Sequence, residues 1–140
     1  MKEGRQGNVL RRVRVLVNPK SGLGTSFDAF WGVFERCWSG PDVDISYQFS
    51  NSVVDGKRKA ARAVAEGVDT LLVVGGDGMV NSIGSVLVGT RTALGVIPTG
   101  SGNGFARHFG VPLDIPDAIG AVARAQRCLI DVGAANGRMF

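Results

Sequence analysis

Several marks of a membrane-spanning, secreted or disulfide-built protein are missing from this chain of 140 residues. No apolar run approaches the roughly 20 residues needed to cross a bilayer, and Leu71 to Val74 is typical. The opening Met1-Lys2-Glu3-Gly4-Arg5 lacks the apolar core of a secretion signal, so a cytoplasmic protein is expected. The 2 cysteines, Cys37 and Cys128, have no metal-type spacing. Both are expected to be reduced, buried, small apolar residues. Charged residues make up only 20% of the chain and hydrophobic ones 44%, which excludes a disordered tail. Internal repeats and low-complexity segments are absent too.

The net charge of +4 suggests nucleic acid until its location is considered. Lys2, Arg5, Arg11, Arg12 and Arg14 against Glu3 account for all of it. The rest of the chain is neutral, so no nucleic-acid partner is expected. The basic leader over residues 1–12 reads as a frayed, solvated end that could also touch an anionic surface.

Glycine, by contrast, is abundant: 21 residues, about twice the usual ~7% share. Val13 to Val17 alternates and turns apolar, then stops at Asn18-Pro19, which predicts a strand and a loop. Ser26 is placed to cap a helix reaching Trp38, with Phe27, Phe30, Trp31 and Phe34 as its core stripe. Val43 to Phe49 predicts a second strand. A helix from Asp55 turns Ala60, Ala61, Val64 and Ala65 inward and leaves Lys57, Arg58, Lys59 and Arg62 solvated. Thr70 to Val74 and Thr92 to Ile97 predict strands buried on both faces. Helices follow over Met79 to Val88, Phe105 to Phe109 and Pro116 to Ala125, and a last strand over Cys128 to Val132. Asn136-Gly137 is a hairpin-turn signal without a returning strand.

The order βαβαβαβαβ predicts an α/β fold, a doubly wound parallel sheet of Rossmann-like type with right-handed crossovers. Ligands of such sheets sit beyond the carboxyl ends of the strands. The Gly-rich loops after Val17, Val74 and Ile97 all fall on that rim. Free N–H groups at the start of a helix attract anions, and a phosphate chain is the natural guest. The motif of a P-loop is absent, and Phe105 stands where a dinucleotide fingerprint has its third glycine.

Asp77 is the informative residue, because an acid in a phosphate loop repels the guest unless it has a task. It could take a proton or order a metal's water shell, or it could cap the following helix. Asn81, one turn on, could reach back into the loop. Asn18 could hold a ring or ribose edge, and Lys20 could meet a phosphate.

Three motifs occur in order: Asn-Pro-Lys-Ser-Gly (Asn18 to Gly22), Gly-Gly-Asp-Gly-x-x-Asn (Gly75 to Asn81) and Pro-Thr-Gly-Ser-Gly-Asn-Gly-Phe-Ala-Arg (Pro98 to Arg107). The set resembles the catalytic domain of the diacylglycerol kinase and sphingosine kinase family of lipid kinases. The resemblance runs from about Arg12 to Phe140 and implies the first domain of a two-domain enzyme. That domain would span 13–130, with 131–140 opening a crossover to a β-sandwich. The implied activity is transfer of the γ-phosphate of ATP, with Mg²⁺, to a lipid hydroxyl, on diacylglycerol or a sphingoid-like lipid. The implied setting is cytoplasmic with peripheral membrane contact; a homo-oligomer is left open. These 140 residues alone are expected to be inactive.

By the same resemblance, Asn18, Pro19, Lys20 and Ser50 border the nucleotide. Gly75, Gly76, Asp77 and Gly78 would approach its phosphates and the substrate hydroxyl. Gly100, Ser101, Gly102 and Asn103 hold the phosphates from the other side. Asp77 matches a proposed base in sphingosine kinases and a nucleotide- and metal-side residue in bacterial diacylglycerol kinases; both roles stay open, and no metal ligand is assigned. Met79, Ser82 and Gly104 depart from the usual Thr, Glu and Asp. Two alternatives remain: a NAD-kinase-like phosphotransferase, which shares Gly-Gly-Asp-Gly, and a non-catalytic nucleotide- or lipid-sensing module.

Overall fold

The computed structural model describes residues 10–20, 27–135 and 138–139. Four parallel strands form the main sheet: β1 (Arg11–Val17), β2 (Val43–Phe49), β3 (Thr70–Gly75) and β4 (Ala93–Pro98). Their spatial order is β2-β1-β3-β4. The order follows from burial. β3, apolar from Leu71 to Val74, is buried at every residue and takes a central place, whereas the half-polar β2 lies at an edge.

Helices cover both faces. α1 (Phe27–Cys37) and α5 (Ile115–Arg124) pack on one, over Val13, Val15, Val17, Leu72, Val74 and Ile97. α2 (Val53–Ala65) and α3 (Asp77–Leu87) pack on the other, over Leu16, Leu71, Val73 and Val96. Alternate residues of one strand thus feed two cores, as the period of two requires. The fold is the doubly wound α/β architecture expected. A short helix, α4 (Gly104–His108), follows β4.

β1 begins at Arg11, so two residues of the basic leader are strand; Arg12 N donates to Asp69 Oδ2 at 2.8 Å. The expected cap Ser26 lies outside the described residues. α2 starts at Val53 with Ser52 as N-cap, its hydroxyl accepting from Asp55 N at 3.0 Å. Its buried face is Gly56, Ala60 and Ala63; Ala61 and Ala65, expected inside, are exposed. Starting the helix two residues earlier does not explain this. The helix packs flat through its smallest side chains, and the inward stripe falls one residue away from the one expected.

Both cysteines are exposed rather than buried. The inward stripe of α1 runs through Phe34 to Trp38 just past its end, which turns Cys37 outward. The expected strand over Cys128 to Val132 does not form, and Leu129 is fully exposed at 102%. Arg127, just before the segment, is anchored at the start of β3: its guanidinium donates to Asp69 O at 2.6 Å and to Thr70 Oγ1 at 3.3 Å. Among the described residues no strand pairs with the outer edge of β4, and Leu129, Ile130 and Val132 are left exposed. Beyond this segment, β5 (Ala134–Ala135) and β6 (Arg138–Met139) pair antiparallel, so the hairpin does find a returning strand. The turn residues Asn136 and Gly137 lie outside the described residues.

Candidate functional site

β1 and β3 are neighbours, but α1 leaves β1 on one face and α3 leaves β3 on the other. The carboxyl ends of these strands therefore lie at the switch in winding direction, the place where such sheets bind ligands. Backbone bonds draw the loops together there. Asn18 N donates to Val74 O at 3.0 Å, Ser50 N to Val17 O at 2.8 Å, and Thr99 N to Gly75 O at 3.1 Å. The residues singled out in the sequence converge on one rim, though in different roles.

On the first loop, Asn18 Oδ1 accepts from Lys20 N at 3.0 Å, an Asx turn that leaves Pro19 and Lys20 exposed. Ser50, at the end of β2, donates its hydroxyl to Ser52 O at 3.2 Å and lies against Gly56 of α2.

The second and third loops touch backbone to backbone. A Cβ on Gly100 would lie 2.7 Å from Gly76 Cα, and one on Gly76 would lie 3.1 Å from Gly100 Cα. The approach demands glycine at 100 and leaves little room for a side chain at 76. Gly75 is covered by Met79, whose sulfur would meet an added Cβ at 2.6 Å, whereas Gly78 faces open space. Asn103 shapes the third loop. It sits in the left-handed region at φ 55°, and its side chain accepts from Gly100 N at 2.9 Å and donates to Gly100 O at 2.8 Å. Ser101 is exposed, and Gly102 O accepts from Arg107 Nε at 2.9 Å.

Asp77 does not cap its own helix. Gly76 is the N-cap of α3, without a side-chain bond. The Asp77 carboxylate instead reaches the start of α4: Oδ2 accepts from Gly104 N at 2.8 Å and Oδ1 from Phe105 N at 3.2 Å. These two amides, Gly104 first, hold its pKa below the ordinary value. The bonds answer how an acid tolerates a phosphate loop, since its charge is already met by donors of a different helix. The acceptor role of Asp77 for those amides was hidden in the sequence; 27 residues separate it from Gly104, and no local signal links them. Gly104 itself lies beside the carboxylate. A Cβ there would lie in ordinary contact with Asp77 Oδ2, at 3.4 Å.

Three donors remain for an anion. The first intrahelical bond of α3 runs from Val80 N to Gly76 O at 3.0 Å, leaving the amides of Asp77, Gly78 and Met79 without intrahelical acceptors. Asn81 is exposed on the same helix, and Ser82 turns its hydroxyl back to Gly78 O at 2.9 Å. Among the described residues no group of three or more His, Cys, Asp or Glu side chains is placed to hold a metal ion. Asp77 is the single carboxylate in the three loops. A Mg²⁺ there would depend on phosphate oxygens and water for most of its ligands.

Residues 12–135 match the family model of the diacylglycerol kinase catalytic domain. A diacylglycerol kinase of Mycobacterium tuberculosis is 40% identical over 107 residues, covering 76% of this chain and 34% of the relative. One of Staphylococcus saprophyticus is 31% identical, covering 93% and 43%. A crystal structure of a diacylglycerol kinase from Bacillus anthracis superposes with a TM-score of 0.78 at 30% identity, over 93% of this chain and 45% of that one. The chain thus spans less than half the length of each of these three relatives.

Proposed function

The chain belongs to the diacylglycerol kinase catalytic-domain family, and on that premise we propose that it is the nucleotide-binding half of an ATP-dependent lipid kinase. The observation that carries this reading is the meeting of three loops at the switch point, with the free first-turn amides of α3 between them. ATP phosphates lie against those amides, flanked by Asn18 and Lys20 on one side and by Ser101 and Gly102 on the other. The oxygen of a lipid hydroxyl forms a bond to the γ-phosphorus, the bond to the bridging oxygen breaks, and ADP leaves. When bound, Mg²⁺ neutralises phosphate charge.

Asp77 acts in this reading as a positioning residue. Both of its oxygens already accept hydrogen bonds, and its depressed pKa makes it a weak general base near neutral pH. It fixes the third loop against the second, and the hydroxyl proton passes to a carboxylate outside these loops. Residues 13–130 form the nucleotide-binding domain, and the β5–β6 hairpin opens the crossover to a second domain that holds most of the lipid. The setting is cytoplasmic and membrane-peripheral; no helix among the described residues is long and apolar enough to cross a membrane.

A non-catalytic sensing module is favoured by Met79 closing over Gly75 and by Ser82 in place of a carboxylate. A NAD-kinase-like activity shares only the Gly75–Gly78 motif. Offering γ-labelled ATP with diacylglycerol, a sphingoid base and NAD to the full-length protein separates the three. The proposal expects label in a lipid. Label in NAD, or ATP binding without transfer to any acceptor, contradicts it.

A further inference from the structure

We infer that the outer face of α2 is a docking surface for an anionic bilayer, which it meets with an apolar tip at the catalytic rim and a basic stripe behind it. The choice of a bilayer as partner rests on the lipid-kinase reading above; the surface itself rests on the following observations.

Val53 and Val54 open α2 and are 62% and 73% exposed. They stand on the rim of the glycine loops, because Ser50 N is bonded to Val17 O beside Asn18. The presentation is rigid. Ser52 caps the helix, Asn51 N donates to Asp55 Oδ2 at 3.0 Å, and Lys59 Nζ pairs with the same carboxylate at 2.8 Å. Two adjacent valines held outward at a fixed helix start gain nothing in water.

The charges behind them are mostly basic; the acid at the C-cap, Glu66, is paired with Arg14 at 2.8 Å. Val54, Arg58, Ala61, Arg62 and Ala65 share one face of the helix, with Lys57 beside it, and all six are exposed. Asp55, the only acid in the helix, is turned to Lys59, although Arg58 also reaches it at 3.1 Å. The outward charge is thus carried by Lys57, Arg58 and Arg62. Small alanines between them let the helix lie close to a surface. An apolar end with a basic flank is the pattern of a helix resting in the headgroup layer of an anionic membrane. Docked this way, the rim with its glycine loops faces the layer from which a lipid hydroxyl arrives.

The test is flotation of the full-length protein with vesicles of phosphatidylcholine alone or mixed with phosphatidylglycerol. Binding is expected only to the mixed vesicles, weakening as salt is raised. Exchanging Lys57, Arg58 and Arg62 for Gln weakens it about fivefold for each charge removed. The pair Val53→Ser and Val54→Ser weakens it by about tenfold. Phosphorylation of diacylglycerol dispersed in uncharged detergent is unchanged in both variants, which shows that they fold; the single variant Arg58→Gln serves should either multiple variant misfold. Equal flotation of wild type and all variants, or preference for an RNA oligonucleotide over the mixed vesicles, overturns the inference and leaves the kinase reading intact. Variant-sensitive flotation without phosphorylation of any lipid supports the surface and removes the kinase reading.

Discussion

Gly76 and Gly100 bring two loops into backbone contact: a methyl group on Gly100 would sit 2.7 Å from Gly76 Cα. Neither neighbour is a flexible side chain that could move aside. Gly100→Ala is therefore expected to destabilise the fold by about 1–3 kcal/mol, the usual range for forced overpacking, and to weaken nucleotide binding. Gly78→Ala meets no atom within 4 Å in the first turn of α3. It should leave stability unchanged or raise it by about 0.4–1 kcal/mol. Urea unfolding of the two variants makes the comparison.

Asp77 and Gly104 form the second contact between these loops, and it decides what Asp77 does. Asp77→Asn keeps one acceptor but sets an NH₂ against an amide donor, so the third loop loosens. The account expects kcat/KM to fall roughly tenfold to a hundredfold while the acid limb of its pH profile stays in place. Disappearance of that limb, with a loss reaching about 10³-fold or more, assigns Asp77 as the base instead.

Acid should weaken the fold in a defined direction. Asp77 and Asp55 both have folded-state pKa values below the ordinary 3.8. For Asp77 the cause is the amides of Gly104 and Phe105; for Asp55 it is first the Asn51 amide and then Lys59. Each group binds more protons unfolded than folded in that window, so its stabilisation is present above 3.8 and lost as pH falls toward the depressed values. Urea unfolding across about pH 2 to 5 should show this slope, flatter in Asp55→Asn. A wild-type slope no steeper than that of the variant contradicts the assignment.

Asn103 joins a left-handed backbone to a two-way bond with Gly100. Asn103→Ala loses both hydrogen bonds and strains the backbone, costing about 2–4 kcal/mol. Asn103→Gly loses the bonds alone and should cost less. Thermal unfolding orders the two; equal losses would deny the backbone strain.

What could be read from the chain was local. The alternation over Val13–Val17 marks a strand, the apolar runs over Thr70–Val74 and Thr92–Ile97 mark strands buried on both faces, and the glycine loops follow directly. Winding direction then places those loops on one rim. What escaped was tertiary. Whether Asp77 caps its own helix or another depends on where α4 lies, and α4 is positioned by the Gly76–Gly100 contact. The Cys128–Val132 segment reads like a strand, yet no strand joins the sheet beside β4 among the described residues. Cys37 is exposed because Phe34 of α1 and Trp38 just past its end take the inward positions.

The most direct measurement of the central claim is an amide NMR titration with ADP and magnesium. The account predicts the largest shifts at Gly76, Asp77, Gly78 and Met79, with Lys20 and Ser101 to Phe105 following, at a single affinity. Shifts confined to other parts of the sheet, or none at the start of α3 while ADP is bound, would contradict it.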